Sequence, residues 1–216
     1  ERGPCLMRAT HRYRRRRDRL YHLLYYDKTM NTDYQMWPEY FSQDQIKEIN
    51  DCIENNYDAI EPSEHGAVYG EQPKKNNINV KIILYKRVKH LLSDLMDDVY
   101  TTAARDAGYI TWGPYNKESL NFNTYTAEEK SHYSWHRDSS GSPMFDVKFT
   151  VLVNLSMDSY EGGQFQVFDG LERQIDEFSQ PGTVFMLKSH ICHRVLPIVS
   201  GERKSLTIWI KGPKFQ

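Results

Sequence analysis

Long apolar runs and cysteines are both scarce in this 216-residue sequence. Its unbroken apolar runs are short, such as residues 151–153, whereas a membrane-spanning helix needs roughly 18 apolar residues. No apolar segment follows the basic N-terminal residues, so the pattern of a secretory signal is absent. Cys5, Cys52 and Cys192 are odd in number and widely spaced, which argues against a disulfide framework. We therefore expect a cytoplasmic (intracellular) protein from a reducing compartment, with no membrane association.

The net charge of −1 combines two parts of opposite sign. Residues 1–29 contain nine basic and three acidic side chains, a net of +6, and the rest of the chain has a net of −7. Clustered arginine releases counterions from phosphate, so residues 1–29 are either a nucleic-acid-binding arm or a basic extension outside the domain, non-native or disordered. Nucleic acid is an expected partner only if this segment is native.

Residues 30–110 have helical sequence patterns, and we interpret them as a helical N-terminal region that supports the rest of the domain. Ser42 and Gln45 have the spacing of a capping box, and Ile46, Ile49 and Ile53 follow on one helical face. A second apolar stripe predicts a helix from Val88 to Ala104. Between these helices, residues 58–79 have the composition of a loop, and 78–84 of a short edge strand.

From about Trp112 the apolar period changes to that of strands. Residues 146–155 alternate, with apolar side chains at 147, 149, 151, 153 and 155 on one face, and further strand-like runs lie at 164–168, 183–187, 195–198 and 204–211, separated by glycine-containing turns. Short strands separated by glycine-containing turns are typical of an antiparallel sandwich or barrel. We therefore predict an α+β fold, in which residues 111–216 form a jelly-roll catalytic core and the N-terminal helices pack on its outside.

His136, Asp138 and His193 are the residues with the most informative chemistry. Positions i and i+2 of a strand face the same side, so His136 and Asp138 can enter one cavity. Two imidazoles and one carboxylate form the facial triad of non-haem Fe(II) oxygenases. Arg203 follows His193 by ten residues, and a guanidinium inside a barrel requires an anion, such as a dicarboxylate. Taken singly, each histidine could instead be a hydrogen-bonded core residue, and Arg203 a solvent-facing hairpin residue.

The order of these and neighbouring motifs resembles that of the 2-oxoglutarate/Fe(II)-dependent dioxygenases, and most closely the PKHD-type microbial and viral members of the prolyl 4-hydroxylase branch. The resemblance covers residues 110–213 and, more loosely, the helices from Met30 onward. The motifs that carry it are Tyr125, Tyr133-x-x-His136-x-Asp138, Tyr160-Glu-Gly-Gly163, Pro181-Gly-Thr183, His193-Arg-Val-x-Pro197, Gly201-Glu-Arg203 and Trp209.

This resemblance implies a double-stranded β-helix (jelly roll) and a set of ligands. By similarity, Fe(II) is bound by His136, Asp138 and His193. Arg203 binds the distal carboxylate of the co-substrate 2-oxoglutarate. Oxygen is the second co-substrate, and ascorbate is the reductant that restores oxidised iron.

The two tyrosines have roles that are less tightly implied. Tyr125 matches a hydrogen-bond donor to 2-oxoglutarate or substrate, and Tyr133 matches a wall of the pocket. Both could equally be strand aromatics that pack a half-buried surface. Substrate-lid segments are expected at 76–79, 114–118 and 139–143.

The implied activity is a procollagen-proline 4-dioxygenase-like hydroxylation of a protein or peptide, with oxidative decarboxylation of 2-oxoglutarate to succinate and CO₂. Two alternatives stay open: the same chemistry on a small molecule or nucleobase, and a catalytically silent jelly-roll binding module. Nucleobase demethylases of this superfamily carry an arginine six residues after the 2-oxoglutarate arginine, where this chain has Trp209. The oligomeric state does not follow from the sequence.

Overall fold

The structure is a computed structural model that describes residues 33–56, 77–106, 108–113, 118–138 and 142–214. The basic segment 1–29 lies outside the described residues, as does most of the predicted loop at 58–79. Both interpretations of residues 1–29, and the three-part division of the chain at residues 29 and 110, therefore stay predictions.

Two helices precede most of the sheet structure. Helix α1 spans Gln43–Asn56 and begins with the predicted capping box: the Ser42 backbone N–H donates to Gln45 Oε1 (3.1 Å), and Gln45 N–H donates to Ser42 Oγ (3.4 Å). Helix α2 spans Tyr85–Thr101 and continues as one π-helical turn, Thr102–Asp106. None of the described helices is long and apolar enough to cross a membrane.

The strands form two main antiparallel sheets and one small ribbon. The large sheet has the order β1-β9-β5-β12-β3-β2, the small sheet β4-β10-β7-β8, and the ribbon pairs β11 with β6. Their bounds are β1 Tyr34–Trp37, β2 Asn79–Leu84, β3 Ser119–Thr126, β4 Tyr133–His136, β5 Asp146–Asn154, β6 Glu161–Gly162, β7 Phe165–Phe168, β8 Glu172–Gln174, β9 Val184–Lys188, β10 Cys192–Val195, β11 Ile198–Ser200 and β12 Glu202–Gly212.

Two hydrophobic clusters show how the layers pack. The outer cluster joins α1 and α2 to one face of the large sheet, and includes Ile46, Ile49, Val88, Val151 and Ile208. The inner cluster fills the space between the two sheets, and includes Tyr125, Leu152, Phe165, Phe185 and Val195. The predicted α+β jelly roll with helices on its outside is therefore confirmed.

The strand β5 explains why both clusters form. Its alternate residues Phe149, Val151 and Val153 belong to the outer cluster, whereas Leu152 belongs to the inner one. Successive side chains of a strand point to opposite faces, so this one central strand separates a helix-covered face from a barrel interior. The polar positions Thr150 and Asn154, which share the parity of Leu152, consequently lie on the inner face.

One predicted strand is wrong in its bounds. Residues 195–198 were expected to be continuous, but β10 ends at Val195 and β11 begins at Ile198. Pro197 lies in the interruption and has no N–H group to donate to a ladder, which accounts for the break. Strand β11 pairs with Gly162 and Glu161 of β6, whereas β10 pairs with β7.

Gly182 holds the N-terminal region against the barrel. It has φ of +77°, and a Cβ at this position would lie 2.0 Å from the Phe41 carbonyl oxygen. The Phe41 N–H also donates to the Gly182 carbonyl oxygen (3.2 Å). Because both the backbone conformation and the close approach exclude a side chain, Gly182→Ala is expected to destabilise the fold by at least about 2 kcal/mol.

Chemical denaturation of the original protein and of Gly182→Ala measures the difference in their free energies of unfolding. Gly108→Ala is the matched control, because Gly108 also has positive φ (+68°) but no atom lies within 4 Å of the place that its Cβ would occupy. We expect that control to lose only about 1 kcal/mol, from backbone strain alone. Equal losses for the two variants would show that the contact with Phe41 has no steric role.

Candidate active site

His136, Asp138 and His193 converge at one end of the small sheet. His136 ends β4 and is paired directly with His193 of β10, and Asp138 follows two residues later. One ligand atom from each side chain lies within 4.8 Å of the others. Asp138 Oδ1 is 3.4 Å from His136 Nε2, and Asp138 Oδ2 is 3.6 Å from His193 Nε2. The structure thus brings together the three residues that the sequence analysis singled out.

The orientation of both histidines suits a metal. His136 Nδ1 lies 2.9 Å from the Ser134 carbonyl oxygen, and His193 Nδ1 lies 3.0 Å from the Ile191 carbonyl oxygen. A carbonyl only accepts, so each Nδ1 carries a proton, and Nε2 of each ring is the nitrogen that has a lone pair when the imidazole is neutral. Both lone pairs are on the nitrogens that approach Asp138. Two imidazole nitrogens and a carboxylate are the donor set that non-haem Fe(II) adopts, so the residues present fit this ion.

The carboxylate of Asp138 is largely buried but stays ionised. Burial alone would raise its pKa, but in the metal-free protein the hydrogen bond with His136, the charge of His193 in its protonated form and the hydrogen bond from Thr150 outweigh burial and lower the pKa to about 2. For His193, burial is the dominant influence and lowers the pKa of the imidazole, despite the opposing charge of Asp138. A neutral imidazole and an ionised carboxylate are the forms that coordinate metals.

Arg203 lies inside the barrel, with only 2% of its surface exposed. Its guanidinium carbon is 5.1 Å from the ring centroid of Tyr125 and 5.4 Å from that of Phe178. Its Nη1 donates to Ser205 Oγ (3.3 Å), and within the described part of the chain no carboxylate forms an ion pair with it. A buried cation without an anionic partner is costly, so this position suits an anionic ligand.

A glycine makes room for the Arg203 side chain. Gly163 has φ of +64°, and a Cβ there would lie 3.2 Å from Arg203 Cδ and 2.4 Å from Ile198 Cδ1. Both Gly162 and Gly163 have positive φ. The turn therefore serves both chain reversal and the close passage of the arginine stem.

Tyr125 connects the arginine with the histidine cluster. It is paired with Arg203 in the ladder of β3 and β12, and only 5% of its surface is exposed. Burial raises the pKa of Tyr125 to about 12; the Arg203 charge opposes this shift, and nearby Tyr133 and Asp138 add to it. The phenol therefore stays protonated and can donate a hydrogen bond inside the barrel.

Tyr133 packs against the cluster. Its ring centroid is 3.9 Å from that of His136, at an interplanar angle of 40°. Burial, followed by the charge of Asp138, raises the pKa of the Tyr133 phenol. The contact with a candidate ligand is compatible with the pocket-wall role expected for Tyr133.

A cavity of about 560 Å³ reaches Arg203. Its walls are formed by residues 157–165 and by residues between 174 and 181, and none of the three clustered residues His136, Asp138 and His193 lines it. In the register of β10 and β7, Val195 faces Phe165, three residues from the end at which Cys192 faces Phe168. The ring centroid of Phe165, which lines this cavity, lies 5.6 Å from that of His193, so a wall of the cavity adjoins the histidine cluster.

Two polar residues of this site were missed by the sequence analysis. Thr150 is fully buried, and its Oγ1 donates to Asp138 Oδ2 (2.7 Å). Ser205 is 2% exposed and contacts Arg203. The available signal was strand parity: Ser205 is two residues after Arg203, and Thr150 is a polar residue on the inner face of an apolar strand.

The expected lid segments fall largely outside the described residues. Positions 76, 114–117 and 139–141 are not described, so the lid expectation stays a prediction.

Known proteins are similar to this chain in sequence over the residues that form most of the barrel. Residues 120–211 match the family model described as the 2OG-Fe(II) oxygenase superfamily. A PKHD-type hydroxylase from Crocosphaera subtropica is 32% identical over 102 residues, which are 45% of this chain and 44% of that protein. The chain thus aligns with less than half the length of this curated relative.

Solved structures of low sequence identity share the fold. A prolyl-4-hydroxylase from Pseudomonas putida has a TM-score of 0.62 at 16% identity, covering 87% of this chain and 97% of that one. A Trichoplax adhaerens prolyl hydroxylase in complex with a hypoxia inducible factor peptide has a TM-score of 0.61 at 16% identity, covering 83% and 84%. Residues 120–211 of this chain are therefore similar in sequence to the 2OG-Fe(II) oxygenase superfamily, and the fold is the one that these prolyl hydroxylase structures share.

Proposed function

We propose that this protein is a 2-oxoglutarate- and Fe(II)-dependent dioxygenase that hydroxylates a C–H bond. The observation that carries the proposal is the convergence of His136, Asp138 and His193 within 4.8 Å, in a barrel that also contains a buried arginine without a carboxylate partner among the described residues. When bound, iron and 2-oxoglutarate supply the activation of O₂, with formation of succinate and CO₂.

In this proposal the residues of the chain bind and orient the reactants. His136, Asp138 and His193 would hold Fe(II), with their Nε2 atoms and one carboxylate oxygen as donors. Arg203 would neutralise the distal carboxylate of 2-oxoglutarate, assisted by its neighbour Ser205. Tyr125 would donate a hydrogen bond to the co-substrate or substrate, since its raised pKa keeps the hydroxyl protonated. Tyr133 would form a wall beside His136.

A peptidyl or protein proline is the substrate that we propose. Two observations support it: the curated relative is named a PKHD-type hydroxylase, and a protein of the same fold was solved with a bound peptide. The acidic balance of residues 30–216 (net −7) would attract a basic peptide rather than a polyanion. Ascorbate is the proposed reductant, by the same resemblance.

The alternatives differ in what they need from the chain. Hydroxylation of a small molecule would use the same iron and Arg203 but no peptide. A nucleobase substrate is disfavoured by Trp209, which stands where nucleobase demethylases carry a second arginine. A silent binding module would need neither metal nor co-substrate.

Incubation of the anaerobically iron-loaded protein with a peptide pool, 2-oxoglutarate, ascorbate and then O₂ distinguishes these functions. For a prolyl hydroxylase we expect peptide-dependent succinate release and a matching gain of one oxygen on proline, located by mass spectrometry. Succinate formation that is identical with and without peptides would count against a prolyl substrate. Iron binding without any decarboxylation would favour the binding module.

A further inference from the structure

Thr150 makes a hydrogen bond to Asp138 from an internal strand of the large sheet. It lies in β5, which is paired on both sides, with β9 and with β12. Its side chain is fully buried, and Oγ1 donates to Asp138 Oδ2 at 2.7 Å. A buried hydroxyl requires a partner, and an ionised carboxylate makes this bond short and strong.

Asp138 itself lies outside any strand. It follows the end of β4, and its backbone N–H donates to the Ser189 carbonyl oxygen (3.1 Å). Rotation of an aspartate carboxylate about χ2 is soft, so this backbone contact does not determine which oxygen faces the histidines. The Thr150 hydroxyl provides that constraint from a neighbouring strand.

The hydrogen bond makes the two oxygens of Asp138 different. Each oxygen faces one histidine, with Oδ1 3.4 Å from His136 Nε2 and Oδ2 3.6 Å from His193 Nε2, but only Oδ2 also accepts the hydrogen bond from Thr150. A hydroxyl that occupies one oxygen leaves the other available to an ion. Hydrogen bonds of this kind to a coordinating carboxylate orient it and tune metal affinity.

We propose that Thr150 is a positioning residue of the metal site, which holds the Asp138 carboxylate so that Oδ1 is presented to the ion. The inference rests on the proposed iron site and extends it to a residue on a different strand. Thr150 acts only through Asp138, and the effect of its hydroxyl should therefore appear in metal affinity before any substrate is present.

Thr150→Val tests this role, because valine keeps the shape and removes the hydroxyl. Binding of Co(II) or Mn(II) to the metal-free protein, without 2-oxoglutarate or O₂, is measured by calorimetry, with the visible absorption of Co(II) as a second readout. We expect affinity to fall by about 10- to 100-fold in Thr150→Val. Thr150→Ser, which restores a hydroxyl, should recover most of the affinity.

Thr183→Val is the matched control. Thr183 is also fully buried, and its Oγ1 accepts a hydrogen bond from the Glu39 N–H (3.3 Å), near Asn154 and away from Asp138. Its metal affinity should equal that of the original protein. Thermal unfolding of each metal-free variant shows whether it folds, and Thr150→Ala replaces Thr150→Val if the latter does not.

The possible outcomes distinguish failure of the proposed iron site from failure of the role proposed for Thr150. If the original protein binds neither ion, the proposed iron site fails. If it binds them and Thr150→Val binds equally well, the site stands and the role of Thr150 is overturned. Equal losses in Thr150→Val and Thr183→Val, or no recovery in Thr150→Ser, would also overturn it, because the effect would then not depend on the hydroxyl at Asp138.

Discussion

Replacement of Asp138 by alanine is expected to reduce Fe(II) affinity by at least about 100-fold and to abolish decarboxylation of 2-oxoglutarate. Even residues that only orient a ligand typically change affinity by about 10- to 100-fold, so loss of the charged ligand itself should exceed that range. Asp138 is the anionic member of the cluster, and its pKa of about 2 keeps it charged at any pH at which the protein would be assayed. Metal analysis after dialysis and succinate release measure the two effects.

Asp44→Ala is a suitable control for this variant. Asp44 is an exposed aspartate in the first turn of α1 and is not part of the cluster of His136, Asp138 and His193. Its replacement should leave both iron content and decarboxylation unchanged. If Asp138→Ala retained stoichiometric iron and turnover, the proposed oxygenase chemistry at this cluster would be wrong.

Replacement of Arg203 by leucine should have effects of opposite sign on ligand binding and on stability. Loss of one partner of a buried charge pair costs about 2–5 kcal/mol, so 2-oxoglutarate should bind about 30- to 5,000-fold more weakly. Without ligand, Arg203 is a buried cation that has no carboxylate partner among the described residues. An apolar replacement should therefore leave the ligand-free protein equally stable or more stable.

Calorimetry with the Mn(II)-loaded protein and thermal unfolding of the ligand-free protein measure the two quantities. Arg203→Lys keeps the charge but not the planar fork, and should fall between the other two proteins in affinity for 2-oxoglutarate. Unchanged affinity in Arg203→Leu would remove Arg203 from the proposed co-substrate site. A large loss of stability in both variants would instead assign it a structural role.

Patterns among neighbouring residues predicted the helices and strands that those residues define by themselves. The Ser42 capping box marks the start of α1, and the alternation at 146–155 corresponds to β5. The four-residue strand β1 was not predicted, since its formation depends on pairing with β9, about 150 residues later. The split between β10 and β11 was missed because the apolar pattern continues across the proline.

In the site, too, the placement of residues close in sequence could be predicted, whereas contacts between residues of different sheets could not. The His136-x-Asp138 spacing predicted two side chains on one side of a strand; Asp138 in fact follows the end of β4 but still joins the cluster. His193 and Arg203 were also candidates from the sequence, and the resemblance gave them their expected roles. The contact between Thr150 and Asp138 could not be predicted, because it depends on how a strand of the large sheet faces the segment after a strand of the small sheet. Sequence spacing does not determine such a distance between layers.

Strand β5 supports both ends of the barrel interior with side chains four residues apart. Thr150 bonds Asp138, and Asn154 Nδ2 donates to the carbonyl oxygens of Phe178 and Ser179, in the turn that places the Phe178 ring beside Arg203. A one-residue shift in strand register exchanges the inner and outer faces. A single-residue deletion early in β5 would therefore remove both contacts together, so the proposed iron site and the proposed 2-oxoglutarate site depend on the register of the same strand.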